Sequence, residues 1–216
     1  MKLLSAAIVF ENVPSFGTSL AGQLIVTHLE RLGYHVFTTL LKPNEEWNEI
    51  DDRKRWILVA TLDRPFTLQV PGTPSTTPFS AYLDSPDPER DDADAQRIAA
   101  TITGLRRQQE RHRALGHGFG FSGLTGSETR LPVNRRSYHK INTGPFVATP
   151  HGPRILRLRE LERLLGRSAR GISESLGIEI LGQGVSRALR RILHQIGSNP
   201  APIRPPAAEC QPVDKS

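Results

Sequence analysis

Three apolar segments of strand length frame a single helical segment within residues 3–62, and that order confines the chain to a small open α/β sheet. The first, LLSAAIVFENV at residues 3–13, reads as a buried strand that ends in polar residues. A Gly/Ser turn leads into residues 20–32, where Leu24, Ile25, His28, Leu29 and Leu32 recur at helical spacing and Gly33 supplies the stop. YHVFTTLL, from Tyr34, and RWILVATL, from Arg55, are rich in β-branched and aromatic residues and read as the second and third strands. Three strands make a sheet smaller than an ordinary doubly wound domain.

Residues 64–150 change character. Pro65, Pro71, Pro74, Pro78, Pro86 and Pro88 interrupt regular structure, and an acidic run lies within residues 84–94. A helix is expected over residues 92–115, carrying Arg97, Arg106, Arg107, Arg111 and Arg113; the glycine-rich GHGFGFSGLTGSE then reads as a loop. LPVNRRSYHKINTGPFVATP reads as short irregular strands with basic side chains between them. The spacing then predicts two closing helices. One places Leu158, Leu161, Leu164 and Leu165 on a single face before Gly166; the other places Val185, Leu189, Ile192, Leu193 and Ile196 on one face after a Gly-Gln-Gly turn.

These signals divide the chain into an α/β part at 1–63, an irregular insert at 64–150, returning helices at 151–197 and a proline-rich tail at 198–216. The hydrophobic fraction of 37%, with 18 glycines added, approaches the roughly 45–50% usual for globular chains, so a core is possible but not generous. No apolar run is long enough to span a bilayer. The opening MKLLSAAIVF leads into Glu11 and Asn12 with no small-residue cleavage site, and so reads as a strand and not as a secretory signal. The one cysteine, Cys210, lies in the tail; it excludes an internal disulfide and a cysteine-based metal cluster, and makes a reducing cytoplasm the expected setting. The histidines show no metal-ligand spacing, so no metal site is expected.

Charge is unevenly distributed. Residues 1–129 carry 13 Lys and Arg against 16 Asp and Glu, whereas residues 130–216 carry 15 against 6. A basic C-terminal half points to a polyanionic partner, or to an arginine-rich solvated helix surface.

Four short segments then fall in a telling order: IVFENVPSF, DDRKRWILVA, RILRLRELERLLG and ILGQGVSRALRRILHQIG. They resemble motifs VI, VIII, IX and X of the DNA cytosine-5 methyltransferases, with a variable basic insert between the second and third. The resemblance covers most of residues 3–197 and implies an incomplete Rossmann-like methyltransferase sheet carrying a small target-recognition insert. It implies methyl transfer from S-adenosylmethionine to C5 of cytosine in DNA, in a restriction–modification or an orphan setting.

By the same resemblance Glu11 would hydrogen-bond N3 and the exocyclic amine of an extruded cytosine, Arg55 would contact O2, and Arg53 would help hold the site together. Arg154, Glu160, Arg163 and Gly166 match motif IX. Gln183, Gly184 and Val185 would lie beside S-adenosylmethionine, and Arg135, Arg136, Tyr138 and Lys140 would contact DNA. The chemistry suits these residue types: nucleophilic addition at C6 develops negative charge around N3 and O2, which an acid and a cation relieve. Each also has a plainer reading. Glu11 can cap backbone amides, Arg53 and Arg55 can pair with Glu49, Asp51 or Asp52, and the basic cluster can be an exposed loop.

The chain departs from the family at defined places. It has neither the glycine-rich Phe-x-Gly-x-Gly cofactor loop nor the Pro-Cys-Gln motif that supplies the nucleophile, and Cys210 lacks that motif's neighbours. Asp51 stands where Gln is usual, and Gln183 where Asn is usual. The expectation is therefore a C-terminal methyltransferase portion, inactive by itself and completed by an N-terminal half, with a separate subunit as one source. A stand-alone DNA-binding remnant or an inert truncated methyltransferase is the alternative.

Overall fold

A computed structural model describes residues 5–117, 123–131, 138 and 145–198. Its secondary structure begins with β1 (Ala7–Asn12), α1 (Leu20–Arg31), β2 (His35–Leu41), the short α2 (Pro43–Glu46) and β3 (Arg55–Thr61). It continues through α3 (Pro88–Ala114), β4 (Gly123–Leu124), β5 (Phe146–Thr149) and β6 (Gly152–Arg154) to α4 (Leu158–Leu165), α5 (Glu174–Gln183) and α6 (Arg187–Gly197). The fold is mixed α/β with two small sheets, a partial Rossmann-like arrangement.

The first sheet has the order β1-β3-β2, so the last strand in sequence is central. Composition explains this placement. Trp56 to Ala60 run without a polar residue and are all buried, as a strand covered on both faces requires. β1 runs antiparallel to β3, with Glu11 opposite Ile57 and Asn12 opposite Trp56. The expectation of a buried first strand is corrected: β1 has β3 as its one ladder neighbour among the described residues, and Phe10 and Val13 are exposed. Helix α1 starts where the Ser19 hydroxyl accepts from the Gly22 amide at 3.2 Å and ends before Gly33, whose φ of 89° is one that side chains disfavour.

The chain forms two compact units. Among the described residues, the first comprises 5–39, 56–68 and 192–198. Its core packs Leu29, Tyr34, Trp56, Leu58 and Ala60 against half-buried Ile8, Phe16, Ile25 and Val36. Phe16 and Trp56 pack in a tilted arrangement with ring centroids 5.5 Å apart, and Tyr34 donates its hydroxyl to the Ser5 carbonyl at 2.8 Å. Leu20 and Leu24 of α1 remain 73% and 60% exposed.

The second unit comprises residues 40–55 and 69–191. Boundaries drawn at 63 and 150 from composition do not coincide with these units, because residues 42–52 are tied to the region beyond the prolines. Asn48 donates to the Thr73 carbonyl at 2.8 Å, Leu131 to that of Ile50 at 2.7 Å, and the Asn44 amide to that of Thr129 at 2.9 Å. Its core gathers Phe79, Ile98, Ile102, Leu131, Phe146, Leu156 and Leu161. Helix α3 begins earlier than expected because Asp87 caps the Arg90 amide and Pro88 occupies the first turn.

The C-terminal part holds three helices where two are expected. Ser173 caps the additional one, α5, which the Gly-Gln-Gly segment ends. Of the DNA-contact candidates, Arg135, Arg136 and Lys140 lie outside the described residues, as do Cys210 and the tail beyond Ser198.

Candidate functional site

A polar constellation in the second unit forms where the segment preceding β3 meets the end of α5. Asp51 forms an isolated parallel bridge with Leu131 and accepts a hydrogen bond from the Arg53 amide at 3.1 Å. That turn aims the Arg53 guanidinium at the C-terminus of α5. Its Nη1 donates to the carbonyl oxygens of Gly182, at 2.7 Å, and Gly184, at 3.2 Å. Carbonyls at a helix end have no partner within the helix and carry its negative pole, so a guanidinium there satisfies both needs. Two segments matched to separate motifs thus meet across 129 residues of sequence.

Buried acids surround the junction. Asp51 is 7% exposed, and burial pushes its carboxyl up to about 6 against the opposing pull of Arg167 and Arg55. Burial also raises Glu49, with the Asp51 charge adding to the shift while Arg187 and Arg191 oppose it. Asp52 pairs with Arg130. Arg55 donates from Nη1 to the Lys54 carbonyl at 2.8 Å and is half-buried.

Gly184 lies against the flexible end of the Arg167 side chain. A Cβ there would stand 1.6 Å from Arg167 Nη1, so any side chain would displace that guanidinium. Gln183 is exposed, with its amide 3.4 Å from Glu179 Oε1, and Val185 is exposed as well. Gln183, Gly184 and Val185 therefore form an open edge, and do not by themselves enclose a molecule the size of S-adenosylmethionine.

Glu11 belongs to the first unit, half-buried in β1. Tyr138 corrects an expectation. Only 1% of it is exposed, and its hydroxyl donates to the Pro145 carbonyl at 2.6 Å while accepting from the Leu156 amide at 2.7 Å. Both sides of the hydroxyl are occupied and the ring is enclosed, so Tyr138 is a core anchor and not a DNA contact.

A second cluster organises the motif IX match. Arg154 and Glu160 form a two-point pair at 2.8 and 2.7 Å, with 3% and 0% exposure. Asp91 stands 3.0 Å from Arg154 Nε and 2.7 Å from Arg157 Nη2. Glu160 also accepts from the Arg157 amide at 2.8 Å, so its carboxylate reaches back to the amide that precedes α4. Arg163 is exposed and reaches Asp84 at 2.6 Å and the Tyr82 carbonyl at 2.8 Å. Sequence reasoning found Arg154 and Glu160 but missed Arg157 and Asp91. The acidic run at 84–94 is the signal that could have supplied the partner.

The chain is similar in structure to three solved methyltransferases. Against Entamoeba histolytica methyltransferase EhMeth the TM-score is 0.65 at 20% identity, covering 88% of this chain and 61% of that one. Against S. pombe Dnmt2 methyltransferase it is 0.66 at 17% identity, covering 88% and 67%. Against a triple mutant of Spodoptera frugiperda DNMT2 it is 0.66 at 15% identity, covering 88% and 66%. The fold is a partial methyltransferase fold. This chain spans about two thirds of the length of these structures. No family model matches the sequence, and no curated protein does. Among the described residues no helix is long and apolar enough to cross a membrane, and no group of His, Cys, Asp and Glu could hold a metal ion.

Proposed function

We propose that this chain carries the cytosine-binding and DNA-recognition portion of a DNA cytosine-5 methyltransferase. The attacking thiolate and the glycine-rich cofactor loop come from residues outside this sequence, on the same polypeptide or on a separate subunit. The observation that carries the reading is the junction of Arg53 with Gly182 and Gly184: segments resembling motifs VIII and X meet through hydrogen bonds, inside a fold shared with methyltransferases.

In this reading Glu11 holds a proton at N3 of an extruded cytosine and bonds its exocyclic amine. Arg55 faces O2, where negative charge grows as a thiolate adds to C6. Arg53 is a positioning residue that fixes the Gly182–Gly184 carbonyls and with them the edge formed by Gln183, Gly184 and Val185. S-adenosylmethionine would supply an electrophilic methyl group, and Gln183, Gly184 and Val185 would hold part of it. Arg135, Arg136 and Lys140 contact the DNA.

A tritiated-methyl transfer assay on mixed-sequence duplex DNA tests the reading. The isolated chain gives no incorporation, because nothing here replaces the thiolate. Addition of a polypeptide carrying the Pro-Cys-Gln and Phe-x-Gly-x-Gly motifs of a matching enzyme restores cytosine-C5 label. Robust labelling by the isolated chain would overturn the division of labour.

A further inference from the structure

The C-terminal end of α4 opens onto a groove of about 770 Å³ whose lining includes Arg159, Glu162, Arg163, Arg167, Ser168 and Arg170. No apolar side chain lines it. Small-molecule sites are mostly apolar with a few placed polar groups, and protein interfaces anchor on aromatic or aliphatic side chains. Neither description fits a groove in which most of the lining side chains are charged.

Part of this arginine concentration has a structural explanation. Arg187 Nη2 donates to the Arg163 carbonyl at 2.8 Å and Arg190 Nη2 to that of Gly166 at 3.1 Å, so both cap the end of α4. Gly166, at φ 58°, leaves the room: a Cβ there would stand 1.9 Å from Arg187 Nε. Arg163 is held by Asp84 and Tyr82.

Arg159 and Arg170 have no such explanation. Both are exposed, and among the described residues neither has an ion pair or a side-chain hydrogen bond. The groove's acid, Glu162, already accepts from the Ala169 amide and shapes the loop. Arg167 is less readily charged than an ordinary arginine, first because of burial and then because Arg190 and Arg187 repel it. Such a concentration of positive charge is self-repelling until an anion arrives.

We propose that this groove docks the phosphodiester backbone of duplex DNA, through residues other than Arg135, Arg136 and Lys140. Guanidinium groups match phosphate oxygens two at a time, and such contacts set register without reading sequence. The inference rests on the proposed function in one respect, that the polyanion is DNA.

The test uses the full chain and two duplexes of unrelated sequence, titrated over a range of salt. Each phosphate contact contributes about −0.9 to the slope of log K against log salt. The double variant R159A/R170A, with an unchanged melting curve, is expected to flatten that slope by about 1.8, equally for both duplexes. R159K/R170K is expected to recover most of it. An unchanged slope in R159A/R170A, beside a flattened one in R135A/R136A/K140A, overturns the groove and leaves the proposed function standing. Absence of duplex binding by the unaltered chain overturns both. Tighter binding of single-stranded RNA, lost in R159A/R170A, overturns the assignment to DNA.

Discussion

Arg53 donates from one guanidinium nitrogen to the carbonyl of Gly182, 129 positions later, at 2.7 Å. The bond joins the segment entering β3 to the end of α5, and a second bond to Gly184 doubles it. Hydrogen bonds to a charged group contribute about 1.5–3 kcal/mol each, and solvent screening of this partly exposed site favours the low end. Arg53→Ala is therefore expected to destabilise the chain by about 2 kcal/mol in urea unfolding, with Arg53→Lys intermediate because one ammonium replaces a planar fork. A loss equal to that of an unbonded surface arginine, such as Arg159→Ala, would show that the junction contributes nothing.

The Arg154–Glu160 pair is a different case, because both partners are enclosed. Removing one partner leaves a buried charge uncompensated, which costs about 3–5 kcal/mol. Glu160→Gln is expected to fall in that range, since Arg154, the Arg157 amide and the Asp84 amide all lose a carboxylate acceptor. Arg163→Ala breaks a pair with an exposed arginine and is expected to cost about 1 kcal/mol or less. Urea midpoints for the two variants check this; a reversed order would refute the assignment of Glu160 as the keystone of α4.

The sequence makes α1 and β3 legible for local reasons. The apolar spacing of α1 ends at Gly33, and the uninterrupted apolar run of β3 implies cover on both faces. Helix α5 is less legible, because Gly177 and Gly182 interrupt it and its exposed Leu176 and Ile180 blur the apolar face. Tyr138, among basic neighbours, looks like a surface residue; its burial depends on Pro145 and Leu156, whose approach no local pattern encodes. Asp51 reads as a departure from a family pattern; of the arginines that answer it, Arg55 is near in sequence but Arg167 is distant. Arg53 is found by motif, but its partners are backbone carbonyls, which leave no mark in a sequence.

Tyr138→Phe tests the corrected role. Loss of the hydroxyl leaves the Pro145 carbonyl and the Leu156 amide without their buried partner, at a cost of about 1–3 kcal/mol. Duplex DNA affinity, measured where the variant is still folded, is expected to stay unchanged. A selective loss of affinity with an unchanged melting temperature would restore Tyr138 as a DNA contact.

Asp51 makes stability depend on pH in a definite direction. Its carboxyl titrates at about 6 in the folded chain against an ordinary value of 3.8, so the folded state binds more protons between those values. Stability attributable to this group is therefore highest below about pH 4 and declines as pH rises towards about 6, by about 3 kcal/mol at most. Asp51→Asn keeps an oxygen for the Arg53 amide and removes the titration. It is expected to gain on the unaltered chain at pH 8 and to lose that gain near pH 4. Parallel stability profiles for the two proteins across this range would contradict the buried carboxyl.

Glu11 and Arg55 bear the chemical weight of the proposed function, and their roles separate from folding in a reconstituted enzyme. Glu11 sits in β1 opposite Ile57, and Arg55 opens β3 two positions before Ile57. In the proposed reaction a thiolate from outside this sequence would attack C6, while these two groups would relieve the charge it creates at N3 and O2. Removing a positioned general acid typically lowers a rate by about 10²–10⁴-fold. Glu11→Gln is expected to lose turnover in that range while DNA affinity stays nearly constant, because the amide preserves shape but cannot hand a proton to N3. Arg55→Ala is expected to behave similarly, since its interaction strengthens only as charge develops. Arg97→Ala serves as the contrast: Arg97 is exposed and pairs with Asp94 of its own helix, and its loss is expected to leave kcat within about twofold at a temperature where the variant remains folded. Single-turnover methylation assays alongside salt-matched binding measurements distinguish these outcomes. Near-full turnover by the Glu11→Gln enzyme would show that the segment around Glu11 resembles the methyltransferase motif in sequence without sharing its chemistry.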